Sequence, residues 1–338
     1  MKIIVTGGAG YIGSHTIIEI FQHTDWEVVS IDDYSTSTAE TYARIEAITG
    51  KKVLFHEVDI KNYEALLKVV QSYNDVKGII HFAAHKWVGD SVENPIKYYK
   101  NNVGGLMNVL KVQTACDIPY FIFSSSCSVY GNITALPVTE KSAINKAESP
   151  YAYTKQIGER IIADYTHAKK GKQAISLRYF NPVGAHQSGL NGEIQPQPNN
   201  LVPFVTQTAI GKIKKLSVYG NDYATKDGTC VRDYIHVSDI AIAHVQALSY
   251  LLSQKSTLHH DVINLGSGVG VSVLEIIKAF EKVSGKTLNY EIGEKREGDV
   301  AAIYANCNKA NKILGWTPQY SLENMMLSAW KWEQYISL

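Results

Sequence analysis

Three spaced glycines near the start of the chain constrain its fold more than any other feature. Gly7, Gly10 and Gly13 follow a short strand pattern, Lys2–Val5, and open a helical pattern. Glycine permits the tight turn, the close approach of backbone to a pyrophosphate, and close packing of helix on sheet. The helix start also offers unpaired N–H groups and the positive end of its dipole. The run predicts a strand–turn–helix unit that can hold a dinucleotide, although a glycine-rich turn without a ligand is an alternative.

The first two-thirds of the chain alternate short apolar runs with helical patterns, which is typical of a parallel sheet wound with helices. Several runs are apolar at consecutive positions, as expected for strands covered on both faces. We therefore predict an α/β protein with a Rossmann-type doubly wound parallel sheet. The candidate strands are Lys2–Val5, Glu27–Ile31, Val53–Glu57, Gly78–Phe82, Tyr120–Ser124 and Ala174–Tyr179, and the candidate helices are Tyr11–Gln22, Tyr63–Ser72, Ile96–Ala115 and Tyr153–Lys169.

The pattern changes after Asn181. Residues 184–200 contain glycines, prolines and amides, which indicates a long functional loop. Later strand patterns (Leu216–Tyr219, Asp261–Leu265) mix with helical ones (Val237–Leu252, Ser272–Ser284, Leu322–Tyr335). We predict a dinucleotide-binding domain at 1–180, with a returning segment near 232–247, and a smaller C-terminal α/β substrate domain made mainly of 181–338.

Composition excludes several classes of protein. The chain has 338 residues, 45% hydrophobic and 19% charged, with a formal net charge of +1, so neither a nucleic-acid nor a membrane partner is indicated. Its four cysteines lack metal-ligand spacing, and a disulfide framework is not expected in a chain of this length. We expect no signal peptide, and the sequence contains no apolar run of about 18 residues. We expect a cytosolic protein without a metal.

Acidic residues at the strand ends indicate which dinucleotide is bound. Asp32 ends the second strand about 20 residues after the last glycine, where an acid would bind the adenosine ribose hydroxyls. No arginine follows it directly to meet a 2′-phosphate, so NAD is favoured over NADP. Asp33 could share this contact. Asp59 follows the third strand and could accept from the adenine amino group, or it could cap a helix that starts near Asn62–Tyr63.

A tyrosine and a lysine four residues apart, Tyr151 and Lys155, form a candidate proton-transfer pair. The pKa of a free tyrosine is about 10, and a neighbouring ammonium favours the phenolate. Tyr153 is two positions from the lysine and faces elsewhere. Ser126, after the strand Tyr120–Ser124, could bond the reacting oxygen of a substrate and relay its proton. Cys127 has no basic partner that would make it a nucleophile.

Together these residues resemble the extended short-chain dehydrogenase/reductase family, and within it the nucleotide-sugar 4-epimerases. The similarity runs nearly end to end. Its most specific runs are TGGAGYIGSH at 6–15, HFAAHKWVGDSVENP at 81–95, FSSSCSVYG at 123–131, SPYAYTK at 149–155, RYFNPVGAH at 178–186, DGTCVRDYIHVSD at 227–239 and REGD at 296–299.

The resemblance implies roles for individual residues. Tyr151 would be the base, Lys155 would hold the nicotinamide ribose, and Ser126 would assist. NAD would be lined by Gly7, Gly10, Tyr11, Ile12, Gly13, Asp32, Asp33, Tyr34, Ser35, Thr36, Ser37, Asp59, Ile60, Phe82, Ala83, Ala84, His85, Lys86, Asn101, Ser126, Tyr151, Lys155 and Phe180. The UDP-sugar would be bound by Lys86, Ser126, Tyr151, Asn181, Asn200, Leu201, Ser217, Val218, Tyr219, Arg232, Arg296, Asp299 and Ile303.

The implied reaction is the reversible conversion of UDP-glucose to UDP-galactose through a 4-keto sugar, with NAD regenerated in each cycle. In the family, the residue at the position of Ile303 limits sugar size, and isoleucine is intermediate between large aromatic and small residues. We therefore expect some acceptance of UDP-N-acetylglucosamine and UDP-N-acetylgalactosamine. The loop Gln195-Pro196-Gln197 departs slightly from the family pattern, which puts its substrate contacts in doubt.

Three further expectations come with the resemblance. Nucleotide-sugar dehydratases and decarboxylases share this scaffold, but Cys127-Ser128 replaces the acidic residues that they carry there. A non-catalytic NAD-sensing protein could lose the Tyr151–Lys155 pair, which is present here. Family members pair through two helices from each subunit, so the stretches Ile96–Ala115 and Tyr153–Lys169 would form a homodimer.

Overall fold

Seven parallel strands form the main sheet of the computed structural model, which describes residues 1–194, 197–296 and 299–338. Their order across the sheet is β3-β2-β1-β4-β5-β6-β10. This order turns back between β1 and β4, where ligands bind in doubly wound sheets. The strands are β1 (Lys2–Thr6), β2 (Glu27–Asp32), β3 (Leu54–Glu57), β4 (Val76–His81), β5 (Tyr120–Ser126), β6 (Gln173–Tyr179) and β10 (His260–Leu265).

Helices cover both faces of this sheet. Ile3 and Val5 of β1 belong to one apolar layer, and Ile4 between them belongs to the opposite one. This alternation explains why the strand is apolar at consecutive positions. The helices of the chain are α1 (Tyr11–His23), α2 (Glu40–Thr49), α3 (Tyr63–Gln71), α4 (Val88–Glu93), α5 (Pro95–Tyr98), α6 (Gly105–Ala115), α7 (Pro150–Ala168), α8 (Leu201–Ala209), α9 (Val237–Leu252), α10 (Val273–Ser284), α11 (Asn308–Leu314) and α12 (Leu322–Tyr335).

Smaller sheets are built from the rest of the chain. One contains β7 (Asn181–Val183), β9 (Val231–His236), β11 (Gly270–Ser272) and β13 (Ala302–Ile303), and the other pairs β8 (Leu216–Tyr219) with β12 (Tyr290–Gly293). Helices α8, α10 and α12 pack on a third apolar cluster that includes Val205, Phe280 and Trp330. Strand β9 runs directly into α9, which packs on α1 of the main sheet.

The fold class predicted from the sequence is confirmed. Strand β10 adds residues 260–265 to the main sheet, beyond the returning segment expected near 232–247. The domain boundary at 180/181 stays a prediction. None of the described helices combines the length and the apolar character needed to cross a membrane.

Two helix predictions need correction. The stretch Ile96–Ala115 is not one α-helix, because a π-helical segment, Tyr99–Gly104, separates α5 from α6. Helix α7 begins at Pro150 rather than Tyr153. Ser149 precedes it as the N-cap, accepting from the Ala152 N–H at 3.1 Å, and proline suits the first helical position. Tyr151 is therefore in the first turn of the helix.

Candidate active site

The glycine turn after β1 lies against the residues that follow β4. Gly7 has φ +73°, and a Cβ on it would be 2.6 Å from the Ala83 nitrogen. A Cβ on Gly13 would collide with the Gly7 carbonyl, so the turn closes on itself. At Gly10, by contrast, the nearest atom is the Gly7 carbonyl oxygen at 3.2 Å from a Cβ, which leaves the backbone open to close approach.

Helix α1 begins at this turn, and no side chain caps its first N–H groups. Gly10 is its N-cap, and the first turn contains no acidic residue. A helix end of this kind attracts an anion through its free N–H groups and its dipole. These features fit the diphosphate of a dinucleotide.

Asp32 connects the glycine turn to the loop after β2. Its carboxylate accepts from the Ala9 N–H at 2.9 Å, from the Tyr34 N–H at 2.9 Å and from the Ser37 hydroxyl at 2.9 Å. Burial raises the pKa of this carboxyl group, and the hydrogen bonds oppose that rise. Asp33 instead bonds Ser35 within its own loop. Of the two acids, Asp32 is therefore the one built into the glycine turn.

The alternative interpretation of Asp59 is wrong. Its carboxylate accepts from the Lys61 N–H at 2.8 Å, whereas the N-cap of α3 is Asn62, which accepts from the Ala65 N–H. Asp59 lies at the same strand-end edge as Asp32, and its neighbour Ile60 is buried in the apolar layer beneath.

An asparagine that the sequence analysis missed fixes the segment after β4. The Asn102 side chain accepts from the His85 N–H at 2.8 Å and donates to the His85 carbonyl at 2.9 Å. Its predicted neighbour Asn101 is buried and donates to Asn102. The only signal in the sequence was the Asn101-Asn102 pair itself. Lys86, at the end of this segment, forms an ion pair with Glu193, which sequence reasoning also missed.

The structure brings Tyr151, Lys155 and Ser126 together at the end of β5. The Lys155 ammonium donates to the Ser124 carbonyl at 2.7 Å and lies 5.8 Å from the centre of the Tyr151 ring. Ser126 is the last residue of β5. Tyr153 is half exposed and on another face of α7, as expected.

Burial controls the ionisation of this pair. It raises the pKa of Tyr151 to about 12, an effect that interaction with the Ser126 hydroxyl opposes and Cys127 reinforces. It lowers the pKa of Lys155 to about 8, which the charge of Glu159 opposes. The four-residue spacing predicted that the Lys155 ammonium would lower the pKa of Tyr151. In the protein alone the effect of burial on the pKa of Tyr151 is the larger one, and its direction is upward.

The thiol beside Ser126 is inert. Burial raises the pKa of Cys127 to about 12, and the nearby Asp233 acts in the same direction. A thiol with such a pKa is not a nucleophile at neutral pH. Within residues 1–194, 197–296 and 299–338, no cluster of three or more His, Cys, Asp or Glu side chains could hold a metal ion.

Two arginines from the second half of the chain meet on one carboxylate. Asp299 lies 3.0 Å from Arg296 and 3.6 Å from Arg232. The Arg232 guanidinium also donates to the Val300 carbonyl at 2.7 Å, and Arg296 stacks 4.7 Å above the Tyr219 ring. One carboxylate between two guanidinium groups leaves positive charge for an anionic ligand such as a diphosphate.

The other substrate positions have different surroundings. Ser217 and Tyr219 share one face of β8, while the Val218 side chain is buried in the core and could offer a ligand only its backbone. Ile303 of β13 pairs with Arg232 of β9 and is buried with Phe180. Asn181 opens β7, and Asn200-Leu201 begins α8. Gln195 and Pro196 of the altered loop lie outside the described residues.

Comparison with known proteins gives a consistent result. The family described as GDP-mannose 4,6 dehydratase matches residues 4–328. A UDP-glucose 4-epimerase of Bacillus subtilis is 46% identical over 335 residues, 98% of this chain and 97% of that protein.

Solved structures agree. The UDP-glucose 4-epimerase of Stenotrophomonas maltophila, with bound NAD and formylated UDP-arabinopyranose, is 40% identical with a TM-score of 0.96, over 100% of this chain and 99% of that one. The enzyme of Bifidobacterium longum, in complex with NAD+ and UDP, is 42% identical with a TM-score of 0.92, over 99% and 98% of the two chains.

Proposed function

The chain belongs to the UDP-glucose 4-epimerase family within the extended short-chain dehydrogenases/reductases, and on this premise we propose that it interconverts UDP-glucose and UDP-galactose with NAD as its cofactor. It is thus an isomerase. The observation that carries the proposal is the meeting of Tyr151, Lys155 and Ser126 at the same edge of the main sheet as the uncapped glycine turn.

The residues of the main sheet fit NAD. The first turn of α1 would bind the diphosphate, Asp32 the adenosine ribose, and Asp59 the adenine. When bound, NAD supplies a reversible hydride acceptor, so C4 of the sugar can become a ketone and then be reduced on its opposite face. Lys155 would hold the nicotinamide ribose, and the remaining NAD-lining residues named from the sequence keep their proposed roles.

Tyr151 would take the proton of the sugar 4-hydroxyl, directly or through Ser126, and later return it. With its pKa near 12 in the protein alone, the phenol depends on positive charge to ionise at neutral pH. Each unit by which its pKa falls corresponds to about 1.4 kcal/mol of differential stabilisation. Lys155 is the cation beside its ring.

Arg232 and Arg296 would hold the diphosphate while the sugar turns over between the two half-reactions. Asp299 keeps both guanidinium groups in place. Elimination of water, the dehydratase reaction, needs an acidic group beside the active hydroxyl. The Cys127 thiol, with its pKa near 12, does not supply one, so this alternative is not favoured.

Substitution of the base tests the proposal. We expect Tyr151→Phe to lower kcat for UDP-galactose by about 10²–10⁴-fold, the usual contribution of a general acid–base group, while the protein still carries NAD. Tyr153→Phe, two residues away on the exposed face, is the matched control and should keep its activity. Turnover of the Tyr151→Phe variant at more than a tenth of the original rate would contradict the assignment of the base.

Acceptance of N-acetylated sugars is supported by the size of Ile303. Its side chain fills less space than a tyrosine and more than a glycine, and it packs beside Phe180 at the strand that carries Arg232. We propose that UDP-N-acetylglucosamine and UDP-N-acetylgalactosamine are also substrates.

A homodimer is supported by exposed apolar side chains on α4 to α7. Val92, Ile96, Met107 and Tyr153 are all exposed on this part of the surface. We propose that two copies pair through it, and light scattering of the purified protein at a monomer mass would refute this. The cytosolic location stays a prediction.

A further inference from the structure

A buried ion pair beneath the catalytic helix has no part in the mechanism described so far. Glu159 of α7 and Arg178 of β6 form two hydrogen bonds, at 2.8 Å and 2.5 Å, and both side chains are almost fully buried. Buried ion pairs seldom stabilise a fold more than apolar residues would, so such a pair calls for another explanation.

This pair contacts the residue next to Ser126. Ser125, whose side chain points to the opposite face of β5, donates its hydroxyl to the Glu159 carboxylate at 2.5 Å. Glu159 therefore fixes the strand end that carries both Ser126 and the Ser124 carbonyl, to which Lys155 is bonded.

Glu159 is also one helical turn beyond Lys155, on the same side of α7. The titratable side chains that face Lys155 are those of Tyr151, His81 and Glu159. Of these, Glu159 alone carries a negative charge at neutral pH, and its charge favours the ammonium form of Lys155 against burial. On its other sides Glu159 faces Arg178 and His260.

We propose that Glu159 is a positioning residue for the epimerase reaction, which keeps Lys155 protonated and holds the end of β5 in register with the catalytic helix. This inference rests on the proposed function. It assigns Glu159 an effect on kcat and on pH dependence, but not on the binding of the UDP group, which the arginines of the other sheets would perform.

The test compares Glu159→Gln with Glu159→Asp. In Glu159→Gln, loss of the negative charge should lower the pKa at which kcat declines at alkaline pH by about one unit, the usual effect of one nearby opposite charge. The loss of kcat would then approach about tenfold above pH 8, with KM for UDP-galactose changed less than about twofold. Glu159→Asp retains the charge and should restore the original profile. Glu19→Gln, a buried carboxyl on α1 outside the site, is the control and should leave the profile unchanged.

A second readout does not depend on activity. Because the folded-state pKa of Lys155 is near 8, below its usual value, the stability of the folded protein rises with pH above about 8 as this proton is released. In Glu159→Gln this rise in stability should begin at a pH about one unit lower. Lys155→Met should abolish the rise both in the original protein and in Glu159→Gln. Urea unfolding against pH measures this even if UDP-galactose proves not to be a substrate.

An unchanged pH profile in Glu159→Gln, with kcat reduced equally at every pH, would overturn the inference and leave a purely structural role. If that variant does not fold, Glu159→Gln combined with Arg178→Gln removes both buried charges together. It should show a smaller shift in the same downward direction, because Glu159 is the nearer of the two charges to Lys155 and loss of the arginine charge offsets only part of its effect. Failure of the double variant to fold, or its showing no shift, would also overturn the inference.

Discussion

Three consecutive serines at the end of β5 have three different partners. The Ser124 hydroxyl bonds the Tyr179 hydroxyl, the Ser125 hydroxyl bonds Glu159, and the Ser126 oxygen accepts from the Ser128 N–H at 3.2 Å. Side chains alternate across a strand, so only alternate serines can share the catalytic face. The hydroxyls of Ser124 and Ser125 are therefore each bonded to a neighbouring element, while the Ser126 hydroxyl lies where it can interact with Tyr151.

Substitutions of Ile303 test whether the size of this residue limits which sugars are accepted. Ile303→Tyr should lower kcat/KM for UDP-N-acetylglucosamine by about 10–200-fold, the range for steric discrimination in a pocket, and leave UDP-glucose almost unaffected. Ile303→Gly should raise kcat/KM for UDP-N-acetylglucosamine relative to kcat/KM for UDP-glucose. Product assays on both sugars measure this, with Tyr304→Phe as the control at the next residue. Equal failure of the original protein with every bulky sugar would defeat the idea.

At the scale of elements, the first turn of α7 determines where Tyr151 lies. Ser149 caps it and Pro150 fixes its first residue, so Tyr151 is held where backbone N–H groups are still unpaired by the helix itself. The orientation of the phenol therefore depends on how firmly this helix begins.

Removing that cap should affect both stability and rate. We expect Ser149→Ala to lower the free energy of unfolding by about 1 kcal/mol, as N-cap losses do, and to reduce kcat severalfold with little change in KM. Ser321→Ala removes the equivalent cap of α12, far along the chain from the catalytic residues, and should cost similar stability with kcat unchanged. Chemical denaturation and steady-state kinetics separate the two cases; equal kcat in both variants would contradict the prediction.

The elements that could be predicted from sequence are those with apolar runs. Strands β1 to β6 of the main sheet each contain a short apolar run, and all but the exposed edge strand β3 are largely buried. Their ends were therefore located within about two residues, the usual uncertainty of such boundaries. Strand β9 was missed because Arg232 and Asp233 interrupt any apolar pattern. The buried contacts of Asn102 and Glu159 were missed because polar residues show no periodicity that reveals their partners.

At the scale of the whole molecule, buried histidines dominate the response to acid. Burial lowers the pKa of His15, His81 and His236 to about 3 and that of His244 to about 4. Unfolding lets these imidazoles take protons below about pH 6.5, so protons favour the unfolded chain and stability falls as pH drops. Glu19 and Asp239 act in the opposite direction, because burial raises their pKa values to about 7 and about 6.

Since four histidines oppose two acids, we expect a net loss of about 2 kcal/mol of unfolding free energy between pH 6 and pH 5. Urea titrations at the two pH values measure it. His236→Gln should reduce this net dependence by about half, because three histidines then oppose the same two acids, whereas exposed His167→Gln should leave it unchanged. A stability that rises on acidification over this interval would show that the acids outweigh the histidines.

The site residues predicted from sequence came from many parts of the chain, and their roles in binding and catalysis stay predictions. What sequence could not show was the ionisation of the pair at its centre, since the pKa of Tyr151 depends on how completely other side chains exclude water from it.

The direct passage from β9 into α9 has a consequence for engineering. Arg232 lies five residues before Val237, the first residue of a helix that packs on α1. An inserted residue at the Val237 junction would therefore displace Arg232, which we propose binds the UDP group, relative to the glycine turn, which we propose binds NAD. Tags, loops or sensor modules should instead be grafted between α9 and β10, at 253–259, where added length would leave that rigid connection untouched.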